Sequence, residues 1–99
     1  MPVITILYPN GPDAHFDFDY YLTKHIPWSE ELNQSTFQIT KGVGDFDGNP
    51  PRFVCIAKLP IRSREEFIAV MTGPGAALID DMKNYTNIDP VIQIDEVVR

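Results

Sequence analysis

The chain has 99 residues, 43% of them hydrophobic and 22% charged, and its 14 acidic against 8 basic residues give a formal net charge of -6. That length supports one domain spanning residues 1–99, because two half-sized cores would bury too little surface to be stable. The acidic balance speaks against nucleic acid and anionic membranes as partners, since both are held through Lys and Arg.

Val3 to Tyr8 is a short β-branched run closed by Pro9-Asn10-Gly11-Pro12, and it reads as a first strand ending in a turn. The apolar run here is too short for a signal peptide or a membrane span, so the expected location is the cytoplasm. The two sequons at Asn33 and Asn84 are then read as chance matches. Asp17 offers an N-cap, and Asp19 places negative charge in the first turn. Phe18, Tyr21, Leu22 and His25 follow at helical spacing on one face. Pro27 lacks an amide donor and disfavours helical geometry at Ile26, which predicts a kink or break before Trp28 to Leu32.

Ser35 to Val43 alternates as a second strand, Gly42 to Pro51 is a loop, and Arg52 to Leu59 is a third strand. Ser63-Arg64-Glu65-Glu66 fits a capping box ahead of Phe67, Val70 and Met71 on a second amphipathic helix. Gly73-Pro74-Gly75 interrupts that helix, which resumes from Ala76 to Met82 before the loop Asn84 to Asn87. Val91 to Val98 is the fourth strand. The order β-α-β-β-α-β predicts an α+β domain of ferredoxin-like layout with a four-stranded antiparallel sheet.

Two helices cover only one face of such a sheet, yet the strands are apolar on both sides. The first sets Val3 and Leu7 against Ile4, Ile6 and Tyr8. The third sets Phe53, Cys55, Ala57 and Leu59 against Val54 and Ile56, and the fourth sets Val91 and Val97 against Ile92, Ile94 and Val98. Burying one such aliphatic side chain contributes roughly 1.5–3 kcal/mol. A homodimer stacked through the sheet faces is the expected cover, with a larger partner protein as the alternative.

His25 is the most suggestive candidate for chemistry. A histidine on an apolar stripe near a helix end is balanced between burial, which favours the neutral ring, and the dipole, which favours the charged one. It would then serve as a general acid or base, with Tyr21 one turn earlier as its hydrogen-bonding partner. The structural alternative is a core histidine satisfied by a backbone carbonyl. Tyr20, Trp28, Phe67 and Tyr85 are candidate walls of an apolar small-molecule pocket, with plain core packing as the alternative.

No metal or organic cofactor is expected. His15, Asp17 and His25 match no zinc spacing, and Asp45 to Asn49 lacks the glycine and glutamate positions of a calcium loop. Gly42, Gly44 and Gly48 do not form a dinucleotide fingerprint. The single Cys55 lies in an apolar strand and reads as a buried, inert thiol.

The stretch Phe16 to Pro27, with its Tyr20-Tyr21 pair ahead of His25-Ile26-Pro27, resembles the signature of the EthD family. The segments Leu7 to Asn10, Asn84 to Asn87, Pro90 to Ile94 and Glu96 to Val98 look similar too, so the likeness spans nearly the whole chain. The resemblance implies a dimeric α-β barrel, and it carries the family's histidine over to His25 and its tyrosines to Tyr20 and Tyr21. The family takes its name from an ether-degradation gene cluster. Fungal relatives include cofactor-free enzymes acting on polyketide anthrones and related aromatics. Two functions are therefore expected in competition. One is a cofactor-independent enzyme acting on a small apolar carbonyl or aromatic compound through His25. The other is a non-catalytic small-molecule-binding or accessory protein of a catabolic pathway.

Overall fold

A computed structural model of the chain describes residues 1–99. Four strands, β1 (Pro2–Pro9), β2 (Gln38–Lys41), β3 (Phe53–Pro60) and β4 (Val91–Glu96), form one antiparallel sheet in the order β2-β3-β1-β4. The long first and third strands pair at the centre, Ile4 opposite Leu59 and Tyr8 opposite Cys55. Between β1 and β2 run α1 (Phe18–Tyr20), a π-helical turn (Tyr21–His25) and α2 (Ile26–Asn33). Between β3 and β4 run α3 (Arg64–Thr72), α4 (Ala76–Asp81) and a 3-10 turn (Met82–Asn84). This is the expected α+β ferredoxin-like layout of the dimeric α-β barrel families. No helix is long and apolar enough to cross a membrane.

Local chemistry explains most boundaries. Asp17 accepts from the Tyr20 amide at the start of α1, and Ser63 Oγ accepts from the Glu66 amide at the start of α3. The predicted second strand is shortened at both ends. Gln34 takes a left-handed conformation (φ 51°) to end α2, and the Ser35 amide still donates back to the Glu30 carbonyl. At the far end Gly42 passes so close to β3 that a Cβ there would lie 2.0 Å from the Phe53 carbonyl oxygen. The fourth strand stops at Glu96, short of the predicted Val98.

The helix does not break at Pro27. It widens into a π turn instead, in which the Ile26 amide donates to the Tyr21 carbonyl five residues back. A proline ring collides with the carbonyl four residues earlier in an α-helix, and a wider turn before it gives that carbonyl room. The extra residue also shifts the helix face. Tyr21, His25, Ile26 and Ser29 point inward, while Leu22, predicted on the core stripe, is 47% exposed.

Inward from the sheet point Ile4, Ile6 and Tyr8 of β1 and Cys55, Ala57 and Leu59 of β3. They meet the helices in two clusters. One is aliphatic (Ile4, Leu59, Ile61), and the other is aromatic-rich (Tyr8, Tyr21, Ile26, Cys55, Tyr85). The opposite sheet face is more mixed than the alternation suggests. Val3, Leu7, Val54 and Ile56 are half-buried there, but Thr5 donates to the Asp95 carboxylate in their midst, and Lys58 is exposed. Ile92 and Ile94 share the helix side with Ile4 and Ile6 yet remain 56% and 42% exposed.

Candidate functional site

The aromatic cluster surrounds a cavity of about 70 Å³ between the helices and the sheet. Its walls are largely apolar, including Phe37, Phe67, Met71 and Leu78, with Ile79 and Ile92 at exposed positions. His25, Ser29, Tyr8, Tyr21 and Tyr85 bring the polar atoms.

The π turn delivers His25 into this cavity. Its ring is hydrogen-bonded on one side to a carboxylate, with Nδ1 2.9 Å from Asp81 Oδ2. On the other side Nε2 lies 3.5 Å from the Tyr85 hydroxyl, whose oxygen is 2.8 Å from that of Tyr8. Asp81 also accepts from Tyr20 Oη at 2.6 Å and from Asn84 Nδ2 at 3.0 Å. The result is a continuous chain, Asp81 to His25 to Tyr85 to Tyr8, running from the helix surface into the core.

The Tyr85 loop is held by the lead-in to α1. The Asp17 amide donates to the Tyr85 carbonyl at 2.7 Å, Thr86 Oγ1 donates to the His15 carbonyl at 2.6 Å, and Asn87 bonds both His15 and Asp13. These bonds fix the ring opposite His25.

Electrostatics assign the protons. Burial raises the Asp81 carboxyl, but hydrogen bonds from Tyr20, Asn84 and His25 outweigh it and hold Asp81 below its ordinary range. Burial pulls His25 below its ordinary value of 6.5, against the opposing pull of Asp81. The pair is thus a carboxylate facing a neutral imidazole near neutral pH. Only Nδ1–H can donate to Asp81, so Nε2 carries the lone pair toward the cavity. Burial raises Tyr8, Tyr21 and Tyr85, which therefore stay neutral phenols. Burial also pushes the Cys55 thiol up to about 11, leaving it a poor nucleophile.

Among the residues singled out from sequence, His25, Tyr21, Phe67 and Tyr85 line the cavity. His25 is satisfied by Asp81 rather than by a backbone carbonyl. Tyr21 does not hydrogen-bond to it; its ring stacks on the imidazole, centroids 5.7 Å apart and planes 16° from parallel. Tyr20 lies outside the cavity and acts on Asp81. Trp28 is 37% exposed and lies outside this cavity. Asp81 and Tyr8 were not singled out. The signal for Asp81 was its place one turn after inward-facing Leu78 and beside Met82. No group of three or more His, Cys, Asp or Glu residues is arranged to hold a metal ion.

No protein-family model and no curated protein matches this sequence. Solved structures do. An EthD-like protein from Ralstonia eutropha is 35% identical, covering 99% of this chain and 92% of its own, with a TM-score of 0.90. An ethyl tert-butyl ether (EthD) family protein from Bacillus halodurans is 21% identical over 99% of both chains, with a TM-score of 0.77. HapK from Hahella chejuensis is 16% identical over 100% of this chain and 95% of its own, with a TM-score of 0.62. The last two likenesses concern the fold alone.

Proposed function

The chain belongs to the EthD family, and from that membership we propose a cofactor-independent enzyme that moves a proton on a small apolar carbonyl or aromatic compound, with His25 as general base and acid. One observation carries the reading: the buried imidazole is tied through Nδ1 to an ionised carboxylate and turns its Nε2 lone pair, 3.5 Å from the Tyr85 hydroxyl, into an apolar cavity.

The simplest balanced step is enolisation. The proton next to a carbonyl passes to His25 Nε2, and the C–H electron pair becomes the C=C bond of an enolate. The enolate oxygen accepts from Tyr85 O–H, itself braced by Tyr8. The imidazolium is stabilised by Asp81, and the proton then returns to the same or another carbon. Tyr21 holds the ring plane by stacking, and Tyr20 holds Asp81. The cavity of about 70 Å³ takes a small molecule or the reacting end of a larger one, whose remainder would lie over Ile79 and Ile92.

The same proposal includes a homodimer through the open sheet face, supported by Val3, Leu7, Val54 and Ile56, which stand there without a covering layer. Light scattering should give a two-subunit mass, and a one-subunit mass would remove this part. A cytoplasmic location suits the free, buried thiol of Cys55.

The test is proton exchange. Small ketones in D2O, followed by NMR, should exchange their α-protons in the presence of the protein. His25→Gln should slow this by about 100-fold or more. Equal exchange by the variant takes His25 out of the mechanism. Retained ligand with no exchange by either protein hands the site to the alternative, a binding or accessory protein.

A further inference from the structure

Ser29 stands out in the cavity wall because, besides His25, it is the only polar lining side chain that is not a tyrosine. It is 6% exposed and sits on the inward face of α2, four residues after His25. Side chains so spaced on a helix are neighbours, with Cβ atoms about 5–6 Å apart.

Its hydrogen bonding is incomplete in one direction. Asn33 Nδ2 donates to Ser29 Oγ at 3.3 Å and to the Ser29 carbonyl at 2.9 Å. A helical serine often turns its own hydroxyl back onto the carbonyl four residues earlier, which here belongs to His25. Ser29 Oγ makes no such bond and donates to no other protein group; its only partner is Asn33. A buried donor with its lone pair already engaged, at the wall of an apolar cavity, is ready for an acceptor from outside the chain.

We infer that Ser29 is a second recognition point of this cavity, donating its hydroxyl to an acceptor oxygen, and that the compound bound is a short carbonyl compound carrying a second oxygen. The inference rests on the proposed use of the cavity for what the carbonyl does at His25, and on Ser29 alone for the second oxygen. Tyr85 and His25 serve the reacting end of the molecule. Ser29 reads an oxygen one helical turn away, and Phe37, Phe67 and Met71 enclose the carbon between them. The cavity of about 70 Å³ suits a short compound, since one water takes about 10–15 Å³ on the same measure.

Two ketones with six heavy atoms each isolate the second oxygen. Methoxyacetone has an ether oxygen where pentan-2-one has a methylene group. Dissociation constants for both are read by NMR titration against the unaltered protein, Ser29→Ala and His25→Gln. Alanine suits the helix, and Asn33 keeps its bond to the carbonyl of residue 29, so the variant fold is retained. The preference for methoxyacetone over pentan-2-one should fall by about threefold to tenfold in Ser29→Ala, the worth of one neutral hydrogen bond. His25→Gln should keep the preference of the unaltered protein. A preference that Ser29→Ala leaves in place overturns the inference, as does failure of both ketones to bind. Proton exchange in the same tubes reads the base separately: if His25→Gln exchanges normally while Ser29→Ala loses the preference, the base is wrong and Ser29 stands.

Discussion

At one end of the central strand pair Ile4 stands opposite Leu59, and four residues along, about 13 Å away, Tyr8 stands opposite Cys55. Both ends obey the same inward alternation, and both are buried against helices. At the Leu59 end every buried group is aliphatic, with Phe37 and Phe67 packed against them, so stability there follows from excluding water and filling volume. At the Tyr8 end the side chains are just as buried, but several finish in a hydroxyl, and no buried side-chain polar atom is left without a partner. Pairing each of those groups fixes donors and acceptors in space. A burial pattern alone distinguishes neither end, and the difference lies in what each buried chain carries at its tip.

The largest effect is expected at the aliphatic end, from Leu59→Ala. Leu59 is fully buried, and its removal should destabilise the fold by about 2–5 kcal/mol in urea denaturation. The folded fraction should exchange ketone protons at an unchanged rate. A loss of exchange in molecules that remain folded would show that the aliphatic end also shapes the site.

The second test sits at the other end. Asp81→Asn keeps the shape of the side chain but removes the charge opposite His25. Proton exchange should fall by about one to two orders of magnitude, because the imidazolium loses its counter-charge. The pH profile separates this from simple damage. Burial holds His25 below 6.5 and Asp81 opposes it, so without Asp81 the value drops further. The acid limb of the profile should therefore move to lower pH, and a limb that moves up or stays would deny Asp81 its role. The stability sign agrees. Between the lowered folded value and 6.5 the unfolded chain binds more protons, so stability is full above 6.5 and declines as pH falls through that window.

These tests also mark where sequence reading succeeds. Element order was legible because each strand and helix carries its own period, and the caps at Asp17 and Ser63 are local chemistry. The inward aim of His25 followed from its spacing to Tyr21, which survives the π turn. The turn itself was not legible. Pro27 announces that an amide is missing, but a break and a wider turn both accommodate it, and the outward swing of Leu22 depends on which occurs. Asp81 escaped for a different reason. Beside Asp80 near the end of a short helix it looks solvated, and only folding brings it to a histidine 56 positions earlier. Tyr8 read simply as strand because its hydroxyl finds Tyr85 from 77 positions away.

The smallest effect is expected between those two tyrosines, and it probes the aromatic end most directly. Tyr8→Phe and Tyr85→Phe preserve the rings and remove one oxygen each from a 2.8 Å contact. Either change alone leaves the other hydroxyl buried with a weakened set of partners. Each should therefore cost about 1 kcal/mol or slightly more in urea denaturation. Together they strand nothing between themselves, so the double variant should lose less than the sum of the singles, with a coupling of about 0.5–1.5 kcal/mol. Leu59→Ala, far from both, should add to either of them without coupling. If the two tyrosine changes were additive instead, their hydroxyls would not be paired in solution. The aromatic end would then be a core like the other, larger in its side chains and no different in kind.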